Sequence, residues 1–271
     1  MPPRALILRA PGTNCDAESA FAFEQAGGCA ERLHINRLLE QPALLREFQI
    51  LCLPGGFSYG DDLGAGRILG NQFRHHLFDW LREFKAAGKL VLGICNGFQI
   101  LTKSGILLET ADDRAQGAVE SQDLNPPATL AGNASGKFED RWVRLRVTGD
   151  KCVFFRGIET MYLPIAHAEG RFVVRDEQVL AQLQAAGQLA LKYSPLKGKG
   201  DLQGAVPYPD NPNGAMADVA GVCDSTGRVC GLMPHPERHI DPTQHPRWTR
   251  GPLADEGDGL RVFRNAVEYF A

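Results

Sequence analysis

Residues 89–103 read Lys89-Leu90-Val91-Leu92-Gly93-Ile94-Cys95-Asn96-Gly97-Phe98-Gln99-Ile100-Leu101-Thr102-Lys103. The apolar run from Leu90 to Ile94 has the length and composition of a buried strand. The segment from Phe98 to Lys103 reads as a helix. A cysteine stands at the sharp turn between them, with Gly93 and Gly97 two residues before and two after. That is the spacing of a nucleophile elbow, with sulfur in place of the hydroxyl oxygen. Such a turn lifts the side chain out at the end of a sheet, where the free N–H groups and positive end of the following helix favour an anion. The thiolate is the nucleophilic form of cysteine. A free cysteine is otherwise most often a small buried apolar residue, and the elbow alone leaves both readings of Cys95 open.

A cysteine nucleophile needs a base, usually a histidine distant in sequence. Of seven histidines, His235 is the best placed, in Val229-Cys230-Gly231-Leu232-Met233-Pro234-His235-Pro236-Glu237-Arg238. It comes just past the end of an apolar strand, between two prolines that keep the segment extended. In an extended chain residues i and i+2 share a side. Glu237 is therefore expected beside the imidazole, where a carboxylate fixes the tautomer and stabilises imidazolium. His-x-Glu alone is common, and a surface loop with an incidental ion pair would look the same. A third element is Ile50-Leu51-Cys52-Leu53-Pro54-Gly55-Gly56-Phe57-Ser58-Tyr59-Gly60-Asp61, a short strand followed by a glycine-rich turn. Backbone N–H groups of such a turn converge on anions. With the N–H of Asn96, those near Gly56 would form an oxyanion hole. An ordinary βα loop would look the same; a phosphate loop is not expected, because G-x-x-x-x-G-K-[ST] is absent.

Taken together, these segments resemble the class I (triad) glutamine amidotransferases, in the branch formed by the glutaminase subunits of phosphoribosylformylglycinamidine synthase. The resemblance rests on Pro11-Gly12-Thr13-Asn14-Cys15-Asp16, on Leu53 to Asp61, on Gly93 to Leu101, on Ile165-Ala166-His167-Ala168-Glu169-Gly170-Arg171, on Asn211-Pro212-Asn213-Gly214 and on Met233 to Arg238. They span nearly the whole chain in the family's order. The resemblance implies a flavodoxin-like fold and glutamine as substrate. It implies Cys95 as nucleophile, His235 as proton carrier, Glu237 as its orienter, and Gly56 and Asn96 as the oxyanion hole. Gly55, Phe57, Gln99, Ser135 and Phe138 are the implied substrate contacts; Gln99 lies four residues after Cys95 and so on the same helix face. Ser135 and Phe138 belong to Asn133-Ala134-Ser135-Gly136-Lys137-Phe138, similar to the family's Asn-x-Ser-x-x-Phe loop. No metal and no cofactor are implied in this chain. The implied partners are an ATP-dependent synthetase subunit, which would carry ATP and magnesium, and a small accessory subunit.

Two stretches depart from the family pattern: Glu109 to Gly132, long and polar with Pro126-Pro127, and the extended loop from His239 to Asp258. Neither includes a proposed catalytic residue.

Composition is ordinary for a soluble globule: apolar residues at 44%, charged at 23% and a net charge of −3. That charge offers no basic field for nucleic acid. No apolar run approaches the ~18 residues of a membrane span, and Met1-Pro2-Pro3-Arg4 leads straight into a strand without a visible signal peptide. The expected location is the cytoplasm. Seven cysteines without CxxC spacing suggest six reduced thiols and one nucleophile. Asn133-Ala134-Ser135 matches a glycosylation sequon, read as coincidence in such a chain.

Hydrophobic patterning predicts an α/β chain with a doubly wound, mostly parallel sheet flanked by helices, forming one domain over residues 1–271. Expected strands are Ala5 to Arg9, Arg32 to Ile35, Ile50 to Leu53, Leu90 to Ile94, and five short ones after residue 140: Trp142 to Val147, Met161 to Ile165, Phe172 to Val174, Leu189 to Tyr193 and Val229 to Met233. Expected helices are Asp16 to Ala26, Ile68 to Ala87 and Gly259 to Phe270; the last carries Leu260, Phe263, Val267 and Phe270 on one face. His75 and His76 read as surface residues, Asp61 and Asp62 as a solvated loop or cap. His167 and Glu169 repeat the His-x-Glu spacing but belong to a separate motif, expected only to support the pocket or an interface. Two other functions fit the same chemistry: an independent cysteine hydrolase of γ-glutamyl or peptide substrates, and an inactive scaffold subunit. The branch motifs weigh against the first, and the intact Cys95, His235 and Glu237 against the second.

Overall fold

Leu90–Ile94 forms a strand with all five residues buried, and Asn96–Ser104 forms the helix that leaves it. In the computed structural model, which describes residues 1–108, 126–196 and 204–271, this pair stands at the middle of the molecule. In chain order the elements are β1 (Arg4–Arg9), α1 (Asp16–Gln25), β2 (Cys29–His34), α2 (Ile35–Glu40), β3 (Ile50–Leu53), α3 (Arg67–Gln72), α4 (Phe78–Ala86), β4 (Leu90–Ile94) and α5 (Asn96–Ser104). The second half adds β5 (Ala128–Gly132), β6 (Glu139–Val147), β7 (Thr160–His167), β8 (Glu169–Val174), α6 (Glu177–Ala185), β9 (Leu191–Ser194), β10 (Val219–Cys223), β11 (Val229–Leu232) and α7 (Leu260–Glu268). Most of the stretch Glu109 to Gly132, residues 109–125, lies outside the described residues.

Nine strands form one sheet in the order β2-β1-β3-β4-β11-β10-β9-β6-β7, and β5 pairs with β8 in a separate ribbon. The half from β2 to β11 is parallel; the strands beyond β11 pair antiparallel. β3, β4 and β11 are buried at every residue, as expected where helices cover both faces of a parallel sheet. Register then brings the site together. Leu53 lies opposite Gly93 and Leu232 opposite Ile94. The chain leaving β3, β4 and β11 therefore emerges at one carboxyl edge, where α/β sheets bind ligands. The antiparallel half bends back over that edge. β7 stands at the far end of the sheet from β2, yet its Pro164 carbonyl accepts from the His235 N–H at 2.9 Å.

Glycines allow α5 to lie directly on the sheet. A Cβ on Gly97 would fall 1.9 Å from the Leu53 carbonyl oxygen, and one on Gly231 would fall 2.2 Å from the Phe98 ring. Phe98 fills that space and is fully buried. Helix α7 docks through Leu260, Phe263 and Val267 on one continuous core, with Phe263 edge-on to Phe23 of α1, 5.0 Å between centroids. Phe270 packs against this core only partly buried.

Several boundaries differ from expectation for identifiable reasons. β2 starts at Cys29, three residues early, and stops at His34, because the His34 side chain accepts from the Asn36 N–H and opens α2 at Ile35. The long helix expected from Ile68 to Ala87 is α3 and α4 joined through a π turn at Phe73–Leu77, a single widened turn of the kind that interrupts α-helices. His75 and His76 lie on that turn, both exposed. Helix α6 is an addition to the expected elements; its start is marked by Asp176, whose carboxylate caps the Val179 N–H at 2.9 Å. Strands β5 and β10 are additions as well. No helix among the described residues is long and apolar enough to cross a membrane.

The helix–sheet contact generates a stability prediction. Gly97→Ala must push α5 off β3 and should destabilise the protein by about 3 kcal/mol or more, at or above the upper end for overpacking. Gly132→Ala, where a Cβ meets nothing within 4 Å, should stay within about 0.5 kcal/mol. Urea unfolding midpoints of the two variants check this, and equal midpoints would refute the contact's importance.

Candidate active site

Cys95 occupies the turn between β4 and α5 at φ 50°, ψ −104°, a positive-φ conformation costly for a residue with a Cβ. Its N–H is anchored on the Leu232 carbonyl at 2.8 Å. The side chain is buried, and its thiol lies 3.8 Å from the Ala166 carbonyl oxygen of β7.

From the neighbouring strand end, His235 and Glu237 come in together, both buried, with Nδ1 and Oε1 2.6 Å apart. This contact assigns the Nδ1 proton to the carboxylate and leaves Nε2, a buried atom with no hydrogen-bond partner among the described residues, toward the Cys95 thiol. Burial works against the charged imidazole. The Glu237 carboxylate, then Cys95 and Cys15, outweigh it, and His235 sits well above the ordinary histidine value. The ring is close enough to Cys95 for the sulfur to act on it electrostatically.

Gly55 passes against the imidazole: a Cβ there would lie 2.7 Å from His235 Cε1. The same segment is tied to the β1–α1 loop, with Asn14 N–H donating to Gly55 O and Phe57 N–H to Gly12 O, at 3.3 and 2.9 Å. The Gly56 N–H takes no part in this pairing. Gly56 has φ +143° and no room for a side chain, since a Cβ would meet Gly12 O at 2.7 Å. The Asn96 N–H, first in α5, has no intrahelical partner. Among the described residues, neither of these two N–H groups donates to a backbone carbonyl. The Asn96 side chain also ties the surrounding loops together. Its Oδ1 accepts from Ser58 N–H and its Nδ2 donates to Asp61 and to Gln99, at 3.1, 3.2 and 2.9 Å. Asp61 also accepts from Gly66 N–H at 3.3 Å, and burial raises its carboxyl above the usual range. It is a brace of the loop, in line with the cap reading.

The expected substrate contacts divide. Phe57 and Phe138 meet at the rim, 6.4 Å between centroids, and both are largely exposed. Gln99 is buried, and its amide is engaged inside the chain, Oε1 by Asn96 and Nε2 by the Glu169 carbonyl. Its hydrogen-bonding capacity goes to bracing α5 against β8. Ser135 is exposed and donates to the buried carboxylate of Glu139 at 3.0 Å, so its hydroxyl serves the turn. The loop His239–Asp258 fastens to the outer strands. Asp258 accepts from Tyr162 N–H at 2.7 Å, and His239 and His245 pack edge-on against Trp142, 5.0 and 4.6 Å between centroids.

Three neighbours of the site have no catalytic role assigned by sequence reasoning. Cys15 lies 4.0 Å from His235 Nδ1 and receives Arg238 Nη2 at 3.1 Å; burial raises its thiol. Asn133 is buried and holds His167. His167 itself is buried beside His235. The position of Cys15 and Asn133 inside matching motifs is the signal that could have found them.

A cysteine held at a positive φ between strand and helix and a buried histidine–carboxylate pair meet at one sheet edge, the arrangement that a cysteine-dependent hydrolase requires. The profile of the CobB/CobQ-like glutamine amidotransferase domain matches residues 2–270, and the chain belongs to that family. Among curated relatives, the phosphoribosylformylglycinamidine synthase subunit PurQ of Dehalococcoides mccartyi is 46% identical over 267 residues, 98% of this chain and 97% of the relative. The subunit of that name from Methanococcus maripaludis is 39% identical over 280 residues, 100% of this chain and 99% of the relative. A chain of the solved PurLQS structure from Thermotoga maritima superposes over the full length of both chains with a TM-score of 0.70 and 30% identity.

The electrostatics make one prediction about pH. Burial, then the charge of His235, lowers His167 to about 3. The unfolded chain takes up a proton at this residue below about pH 6.5, and the folded chain refuses it down to about 3. Stability therefore falls as pH falls through that window, and the loss is absent above it. Between pH 7.5 and 5.0, wild type should lose about 1–2 kcal/mol more unfolding free energy than His167→Leu. Urea titrations at the two pH values measure this; equal losses would mean that the native imidazole is charged.

Proposed function

We infer that this chain is the glutaminase subunit of a phosphoribosylformylglycinamidine synthase, hydrolysing glutamine to glutamate and ammonia for de novo purine synthesis in the cytoplasm. The observation that carries the reading is the buried His235–Glu237 pair at 2.6 Å, set beside the strained Cys95 in a chain that matches glutaminase subunits end to end. The sulfur of Cys95 attacks the side-chain amide carbon of glutamine. Gly56 and Asn96 N–H groups hold the oxygen as it becomes an anion. His235 delivers its proton to the departing nitrogen, ammonia leaves, and a γ-glutamyl thioester remains. His235, now neutral at Nε2, takes a proton from water; hydroxide attacks the thioester, and glutamate and the thiol are restored. Glu237 keeps Nδ1 protonated throughout. Phe57 and Phe138 line the mouth through which substrate enters.

Ammonia freed into water at neutral pH is protonated and loses its nucleophilicity. The acceptor, formylglycinamide ribonucleotide, must be activated by ATP, and this chain has no P-loop. We therefore assign ATP and magnesium to a synthetase subunit, with a small accessory subunit completing the complex. The loop Gly55-Gly56-Phe57, whose Phe57 reaches the surface, is the element that docking would adjust.

Two outcomes test this. Cys95→Ala and His235→Ala should each cut glutamine hydrolysis on the order of 10³-fold or more without unfolding the protein, and a glutamine-analogue alkylator should label Cys95 alone by mass spectrometry. Label on another cysteine would refute the assignment. Adding the synthetase subunit with nucleotide and acceptor should raise kcat/KM for glutamine at least ~10-fold, a coupling of about 1.4 kcal/mol. Full activity of the isolated chain, unchanged by the synthetase, would instead indicate an independent hydrolase.

A further inference from the structure

His167 ends β7, one residue after the carbonyl that lies 3.8 Å from the Cys95 thiol. The hydrogen bonds around it fix its tautomer. Asn133 Nδ2 donates to the carbonyls of Lys137 and His167, each at 2.8 Å. Asn133 Oδ1 is therefore the acceptor end, and it faces Gly170 N–H at 3.2 Å and His167 Nδ1 at 3.1 Å. His167 Nδ1 must then carry the proton, and Nε2 presents a lone pair. That Nε2 is buried and has no hydrogen-bond partner among the described residues. Gly170 packs against one side of the ring, with room for no side chain, since a Cβ would stand 2.2 Å from His167 Cε1. A buried acceptor left unmatched is costly. Here three residues, Asn133, Gly170 and His167, are shaped to keep one in place beside the catalytic pair.

Resting on the glutaminase reading, we propose that His167 Nε2 accepts a hydrogen bond from the side-chain nitrogen of glutamine and holds that nitrogen as it leaves. The chemistry suits this station. As the bond from Cys95 sulfur to the amide carbon forms and the carbon–nitrogen bond breaks, the nitrogen gains a proton from His235 and has N–H bonds to give. His167 neither gains nor loses a proton in the step. It is neutral over the working range, at about 3, so it does not compete with His235 for the proton and cannot convert released ammonia to ammonium. His235, held well above the ordinary value, and His167, held far below it, divide the work of donor and acceptor between them.

The test compares two substrates that differ at this nitrogen: glutamine, and γ-glutamyl methyl ester, whose leaving oxygen has no hydrogen to donate. In the full chain with its synthetase, His167→Leu should lower kcat/KM for glutamine about tenfold relative to its kcat/KM for the ester, the size of one hydrogen bond. His167→Phe, which keeps a flat ring against Gly170, should give the same change, and His167→Gln, which keeps an acceptor, should recover part of it. A purely structural role predicts equal losses on both substrates, and that result, or an unchanged ratio in both variants, overturns the proposal. Wild-type protein inert toward both substrates would overturn the glutaminase reading as well; an active wild type with an unchanged ratio overturns this inference alone.

Discussion

The close seating of α5 on the parallel strands is the constraint from which the rest follows. Three glycines, at 93, 97 and 231, remove side chains where helix and sheet would collide. The resulting contact drives the chain through a turn sharp enough to put Cys95 at a positive φ. That strain is not relieved locally. It is held by the burial of Phe98 and Leu101 and by the anchoring of the Cys95 N–H on β11. A backbone in this state persists only where its surroundings over-determine it, and here the same surroundings fix the direction of the thiol.

Charge is controlled with few groups. The active edge contains two buried histidines in opposite states. His235 has a carboxylate 2.6 Å away and favours the proton; His167 is held by a side-chain amide and refuses one. Their proximity reinforces the difference, because a charge on one disfavours a charge on the other. A polar lattice through Asn96, Asp61, Gln99 and Glu169 then ties the loop after β3, helix α5 and β8 into a single unit. Displacement of any one member is felt at the others.

How much of this is legible in the sequence depends on the range of the signal. The strand runs 50–53 and 90–94 have continuous apolar residues and can be read to the residue. Cys95, His235 and Glu237 stand out because each sits at a strand end with glycine or proline beside it. The π turn at Phe73–Leu77 leaves no trace in an amphipathic pattern that continues on either side. The start of α2 turns on a histidine cap, an uncommon capping residue. The helix position of Gln99 points it toward substrate, but periodicity gives direction and not distance, and the Glu169 carbonyl reaches it first. The role of His167 cannot be read from spacing at all. It depends on Asn133 and Gly170, which share its surroundings only after β7 and β8 fold beside the Asn133 loop.

The register of the sheet carries a consequence for how the protein is made. β4 pairs with β11 across about half the length of the chain, and the antiparallel strands that bend over the site lie between them in sequence. Loop-closure entropy of that size makes the pairing a late event. On the ribosome the thiol segment is synthesised well before its histidine exists, and during that interval neither the anchoring carbonyl of Leu232 nor the roof strand β7 is in place. Until the last third of the polypeptide arrives, the turn that places Cys95 at a positive φ has no β11 carbonyl to anchor it. Order of synthesis thus leaves the site proposed around Cys95 unassembled until the segment that bears His235 and Glu237 has been made.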